Sequence, residues 1–291
     1  MQKLVYVPPG GDFNDAQKRV ILTAEEPFIL STVKGLGGVE TNLLTSNVVG
    51  MNGSYYQGNR IASRQIQCTV YVDGKNREDM YRQRCKLIGL LTPTSELGAL
   101  YYTNDYISVK TSAIPSLPPD FTERIRNYNK ADITFYCPSP DWIALQEQHE
   151  SIAYIDDVGF SFPFSFQQTI SFAMLRNEIS IAYQGTAPAP VKITIIGPAT
   201  NPALTNTATG KSIGLLDKEL SDGEQLIITT ERGNKSVKLF KDNTTTDAFQ
   251  YIDPESEFWE LVPGTNRIVY NSDDDSKTKV HIDYVNRYSG V

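Results

Sequence analysis

The run Ser256 to Tyr270, SEFWELVPGTNRIVY, constrains the fold more than any other stretch, because it fits a strand end, a Pro-Gly turn and a new strand into fifteen residues. Val262-Pro263-Gly264-Thr265 sets Pro where a φ of about −65° is wanted and Gly where φ must turn positive, the chemistry of a type II turn. Asn266 to Tyr270 leaves that turn as a strand. After the polar turn Asn271 to Ser276, the chain returns from Lys277 to Tyr288 with Val280, Ile282 and Tyr284 on one face and His281 and Asp283 on the other. Period-two alternation over that length predicts an antiparallel strand with one wet face.

At 291 residues the chain exceeds the usual single domain, and two domains of about 150 residues each are expected. A hydrophobic fraction of 40% is enough for two cores. No run approaches the ~18 apolar residues of a membrane span, and Met1 to Tyr6 meets Pro8-Pro9-Gly10-Gly11 too early for a signal peptide. A protein made in a cytoplasm, with no membrane insertion, is expected. Cys68, Cys85 and Cys137 are odd in number, far apart and without metal-knuckle spacing, so they read as buried reduced thiols, with no metal site and no disulfide framework.

Charge divides unevenly. Residues 1–145 carry 15 Lys/Arg against 14 Asp/Glu, and residues 146–291 carry 12 against 20. A near-neutral half and an acidic half support two domains in different surroundings, and argue against nucleic-acid binding through the second.

Leu4 to Val7, Arg19 to Thr23, Phe28 to Val33 and Gln65 to Val72 read as strands separated by Gly, Pro and Asn. Asn76 is an N-cap, followed by Glu78 and Asp79 in the first turn and by Met80, Leu87, Ile88 and Leu91 on one face of a helix that stops at Thr92-Pro93. Ala99 to Thr103 and Tyr106 to Ile114 form a hairpin about Asn104-Asp105, and Arg124 to Cys137 adds one long strand that Pro138 to Trp142 ends. The domain boundary is placed shortly after Trp142, giving domains 1–143 and 150–291. In the second, Val191 to Ile195, Gln225 to Thr230 and Lys235 to Lys241 are short strands at sandwich spacing.

Catalytic signals are weak. His149 lies in a polar run and His281 on a wet strand face, neither with a motif around it. Thr209-Gly210-Lys211-Ser212 has the ending of a phosphate-binding loop, but Thr205 stands where the earlier Gly belongs; Gly35 to Gly38 likewise lacks the last Gly of a dinucleotide loop. Both read as turns. Asp273-Asp274-Asp275 and Asp156-Asp157 read as solvated turn carboxylates rather than a Ca²⁺ site. No catalytic residue, cofactor or metal is expected, and the chain does not read as an enzyme. Among the aromatics, Trp259 alternates with Phe258, so one of the two points outward, and Trp259 is the candidate carbohydrate contact; core packing is the commoner fate of a lone Trp.

With these residues in view, the chain resembles the siphovirus-type phage distal tail proteins, the phage tail-component family. In the first half the resemblance rests on Gly58-Asn59-Arg60, the strand Gln65 to Val72, the helix from Asn76 to Leu91, the hairpin of Tyr101-Tyr102 and Tyr106, and Ile133 to Pro138 followed by Pro140-Asp141-Trp142. In the second it rests on Gly185 to Pro190, Ile193 to Gly197, Pro202, Asn206 with Thr209-Gly210, Gly223-Glu224, Ser256-Glu257-Phe258 and Leu261 to Asn266.

The resemblance implies a mainly β chain with one principal helix: an N-terminal split β-barrel-like α+β domain followed by a C-terminal galectin-like β-sandwich. It implies a hexameric ring at the tail tip, made in the bacterial host cytoplasm. That ring joins the tail tube protein and the tail-associated adsorption or lysin protein to receptor-binding proteins. Ring contacts are expected from the first domain's strands and from Gly35 to Thr45 as an extended arm, and ring closure is expected to cover the edge of the strand Gln65 to Val72. The alternative is a carbohydrate-binding β-sandwich protein recognising cell-wall saccharide; an exposed Trp259 in a polar groove would favour it.

Overall fold

The computed structural model describes residues 2–47, 49–50, 52–125, 127–153, 177–273 and 278–291. The chain divides into two compact units, residues 1–145 with 287–291 and residues 146–286. Residues 287–291 belong to the first unit.

The first unit runs β1 (Lys3–Val7), β2 (Val20–Leu22), β3 (Phe28–Lys34), β4 (Thr41–Ser46), β5 (Tyr55–Ile61), β6 (Arg64–Asp73), α1 (Arg77–Leu90), β7 (Gly98–Thr103), β8 (Ser108–Ile125), β9 (Tyr128–Cys137) and the start of β10 (Trp142–Ala153). β8 belongs to two sheets. Its first half pairs with β7 and with Ile143 and Ala144 of β10, extending the order β2-β1-β7-β8. From Ile114 it pairs instead with β9, which pairs with β6, which pairs with β3. Register shifts interrupt the β8–β9 ladder between Pro115 and Leu117 and between Leu117 and Asp120. Pro115, Pro118 and Pro119 bring no N–H to a ladder, so the strand bends there. Leu4, Leu22, Ile66, Val70, Leu100, Phe135 and Trp142 fill the resulting core.

The expected single strand Arg124 to Cys137 is instead the end of β8, a reversal and β9. β6 is flanked by β3 and β9, so the edge that ring closure was expected to cover is already paired within the chain.

Helix α1 begins as its sequence dictates, with Asn76 Oδ1 accepting from the Asp79 amide at 2.9 Å and Glu78 and Asp79 near the positive end of the dipole. It lies against β6 and β8, burying Met80 and Leu87, with Leu91 buried at the cap. Ile88 does not share that face and is 42% exposed. At 3.6 residues per turn it stands about 80° round the helix from Met80, whereas Leu87 and Leu91 lie within about 20° of it.

The second unit continues with the rest of β10, then β11 (Glu178–Tyr183), β12 (Val191–Ile196), β13 (Ala199–Thr200), β14 (Ala203–Asn206), β15 (Lys211–Gly214), β16 (Glu219–Leu220), β17 (Gln225–Thr229), β18 (Ser236–Lys241), β19 (Thr244–Asp247), β20 (Gly264–Asn271) and β21 (Lys279–Tyr288). One sheet has the order β19-β18-β17-β12-β21-β10 and the other β11-β20-β14-β15, with β13 and β16 as a short separate pair. Ile193, Ile195, Leu226, Ile228, Val280 and Ile282 from the first sheet share a core with Ile181, Leu204, Ile213 and Ile268 from the second. The alternation along Lys279–Tyr288 is as expected, with Val280, Ile282 and Tyr284 buried and His281 exposed.

Gly264 takes φ +98 at the Pro-Gly turn, a conformation that a side chain would strain. A buried asparagine pair holds the turn. Asn206 Nδ2 donates to Asn266 Oδ1 at 3.1 Å, and Asn266 Nδ2 donates to the Val262 and Gly264 carbonyls at 2.7 and 3.2 Å. The residues before the turn are not a strand end: they form no strand, only one isolated bridge from Leu261 to Ala189.

Candidate functional site

The feature that departs from both cores is the hairpin β4–β5, and its root is built around one arginine. β3 ends at Lys34, and Gly35 follows with φ +88, where an added Cβ would lie 1.9 Å from the Gln65 carbonyl oxygen. Arg64, 1% exposed, donates from Nη1 to the carbonyls of Gly35, Leu36 and Gly37 at 2.6, 3.1 and 2.6 Å. Nε and Nη2 donate to the Pro140 carbonyl at 2.9 and 2.7 Å, and Nη2 also to Ser289 at 2.7 Å. The guanidinium lies 5.4 Å from the Trp142 ring centroid. Burial pulls its pKa down, while Cys137 and Asp141 act in the opposite direction. The Trp142 indole and the Val291 amide both donate to the Leu36 carbonyl, at 3.2 and 3.0 Å. Three distant segments are thereby fastened to the loop from which the arm departs.

The arm is closed at its base by the Ala62 amide on the Glu40 carbonyl, 2.9 Å. Its register runs Thr41 opposite Ile61, Leu43 opposite Asn59 and, past a shift between Leu44 and Thr45, Thr45 opposite Tyr56. Directly opposed residues share a face and alternate residues return to it. One face therefore carries Leu43, Tyr56 and Ile61, which are 63%, 61% and 50% exposed. Leu44 and Tyr55 stand exposed on the other. Among the described residues β4 and β5 pair only with each other.

The candidate carbohydrate contact is displaced by the structure. Trp259 is 1% exposed in the core of the second unit, its indole N–H donating to the Leu204 carbonyl at 3.2 Å, and its ring offers no face for a sugar. Phe258 is the outward member of the pair. His149 and His281 stay apart from any catalytic set; His149 Nδ1 lies 2.8 Å from Asp283 Oδ1, which raises its pKa. Thr209 to Lys211 make the turn between β14 and β15, with Gly210 at φ +70. Asp273 Oδ2 accepts from Asn201 Nδ2 at 2.7 Å; Asp274, Asp275, Asp156 and Asp157 lie outside the described residues. All three cysteines are free, and burial pushes the Cys68 and Cys137 thiols up to about 12, but Cys85 is exposed on α1 where a buried thiol was expected. Among the described residues no group of three His, Cys, Asp or Glu could hold a metal, and no helix is long and apolar enough to cross a membrane.

Two family models match this chain. Residues 17–137 match the phage tail protein RIFT-related domain, and residues 184–288 match the C-terminal domain of the siphovirus-type tail component. The chain belongs to the siphovirus-type tail component family. Its fold is that of a solved family structure, the Dit (gp 19.1) protein of phage SPP1, at TM-score 0.69 and 11% identity, covering 99% of each chain. That protein is described as a paradigm of the hub adsorption apparatus of phages infecting Gram-positive hosts. A chain of the phage P2 baseplate, in its activated conformation with Ca, is similar at TM-score 0.47 and 11% identity, covering 100% of this chain and 99% of that one. A comparison with curated protein sequences finds no match. In this tail component, then, the first unit is the split β-barrel with its helix and the second the galectin-like sandwich. Its role is structural, within a phage tail.

Proposed function

We propose that six copies of this tail component close into a ring at the tail tip, joining the tail tube protein to the adsorption and receptor-binding apparatus. The first unit forms the ring and docks on the tube and on the tail-associated adsorption or lysin protein; the second braces receptor-binding proteins. The observation that carries the reading is the β4–β5 arm. A two-stranded hairpin is marginal in water by itself, yet this one exposes Leu43, Tyr56 and Ile61 on a single face. Its root is pinned by Arg64, so the arm is presented at a fixed place on each copy. An arm that seats on a different surface of the next copy makes a heterologous contact, and such contacts generate rings when the rotation closes. The description of SPP1 Dit as a hub supports the same reading.

The test is the solution mass of the purified full chain by light scattering, with negative-stain images. The expected species has close to six times the 32.5 kDa chain mass and an open centre. The double variant Leu43→Asp, Tyr56→Asp is expected to be a folded monomer. A double variant that keeps the ring, or a wild-type chain that stays monomeric at every concentration, overturns the reading.

A further inference from the structure

We propose that the second unit carries a binding groove for an anionic saccharide, lined by Lys211, Arg232, Lys235, Phe258 and Glu260 with Trp259 beneath it. This inference stands apart from the ring. The groove has a volume of about 480 Å³, within the ~300–1,000 Å³ range of small-molecule sites. It is mixed in chemistry, as a site for a polyhydroxylated ring must be.

Its apolar wall is Phe258, whose ring stacks on Phe249 with centroids 6.0 Å apart and planes inclined by 15°. Lys235 Nζ stands 5.2 Å from the Phe258 centroid. Among the described residues that ammonium has no carboxylate partner, so its charge remains to be matched by a ligand. Across the groove, Arg232 Nε and Nη2 donate to the two Glu260 oxygens, both at 2.8 Å. This fork presents donors and acceptors from one fixed plane, the complement of adjacent sugar hydroxyls, each of which both donates and accepts. Lys211 adds a third cation, 2.9 Å from Glu257 at the rim.

The charge is the unexpected part. Residues 146–291 hold 20 acidic side chains against 12 Lys/Arg, yet three of those 12 converge on this groove. With Glu260 neutralised by Arg232 and Lys235 matched only by a ring face, the local balance favours an anion. A pyranose bearing a carboxylate or phosphate uses all parts together: its C–H face against Phe258, its anionic group toward Lys235 and Lys211, and its hydroxyls toward the Arg232–Glu260 fork. A nucleotide or a bare anion uses only some of them.

The experiment is calorimetric titration of the full chain with digalacturonate, glucose 1-phosphate, lactose, inorganic phosphate and AMP. Saturable binding of the two anionic sugars is expected, at least about tenfold tighter than of lactose, phosphate or AMP. Lys235→Gln and Arg232→Gln are each expected to weaken it about tenfold. Lys238→Gln, an exposed cation outside the groove, is expected to leave it unchanged. If Arg232→Gln lowers the melting temperature, Lys235→Gln decides, since Lys235 is an exposed side chain whose loss leaves the core intact. The proposal is overturned by any of three results: no saturable binding up to about 20 mM, phosphate or AMP binding as tightly as the sugars, or equal losses from Lys235→Gln and Lys238→Gln.

Discussion

Replacing Arg64 by Met keeps most of the side-chain volume and removes the guanidinium, and the structure sets the size of the effect. Five carbonyls accept from Arg64, those of Gly35, Leu36, Gly37, Pro140 and Ser289. The Leu36 oxygen keeps the Trp142 indole and the Val291 amide as donors. All five lose the guanidinium; counting only the four besides Leu36, at about 1–1.5 kcal/mol each, the loss is about 4–6 kcal/mol. Relief of the buried charge's desolvation returns about 1–2 kcal/mol, leaving a net destabilisation of about 2–5 kcal/mol. The assay uses a convenience of the sequence: its two tryptophans, Trp142 and Trp259, lie one in each unit. Urea unfolding followed by fluorescence in a Trp259→Phe background reports the first unit, and in a Trp142→Phe background the second. With a slope of about 2 kcal/mol per molar urea, Arg64→Met should lower the first unit's midpoint by about 1–2.5 M and leave the second unit's in place. A fall below about 0.5 M, or an equal fall in both units, would refute the argument that these bonds hold the root of the arm.

Two further outcomes follow from titratable groups. His149 should titrate above its ordinary 6.5 because its protonated form is held by the hydrogen bond to Asp283. Whatever stability this pair adds is therefore fully present below pH 6.5 and lost as pH rises through the raised folded value. Asp283→Asn should return the His149 ring resonances to an ordinary titration by NMR, and an unchanged curve would show the pair absent in solution. Ellman's reagent should modify one thiol per native chain, Cys85, and three after unfolding. Fast native reaction of a second thiol would contradict the burial of Cys68 and Cys137.

Much of the architecture was legible from local chemistry. The alternation of Val280, Ile282 and Tyr284 needs no partner to be read, and Asn76 with Glu78 and Asp79 marks a helix start whatever lies beneath it. Three things escaped. The reversal between β8 and β9 carries no Gly or Pro, so Arg124 to Cys137 read as one strand. Alternation of Phe258 with Trp259 says that one faces outward, but which one depends on the Leu204 carbonyl that takes the indole N–H. Arg64 has no motif, because its acceptors lie from 27 to 225 residues away and meet only in the folded unit.

The arm was legible only in its first half, and the reason bears on function. Leu43, Leu44, Tyr55, Tyr56 and Ile61 are core-type residues by composition, and in a chain that folded for itself alone they would be expected in its core. The adjacent leucines and the Leu44/Thr45 register shift break period two, so Gly35 to Thr45 reads as an extended arm but its pairing with Tyr55–Ile61 does not show. In the structure these side chains sit on a paired but exposed hairpin whose root is held by bonds worth several kcal/mol. A chain that fixes the base of an uncovered apolar arm spends order on a surface that this single copy leaves bare. That expenditure is explained if another copy covers it, which is why the Leu43→Asp, Tyr56→Asp variant should lose assembly while keeping the stability of its own unit.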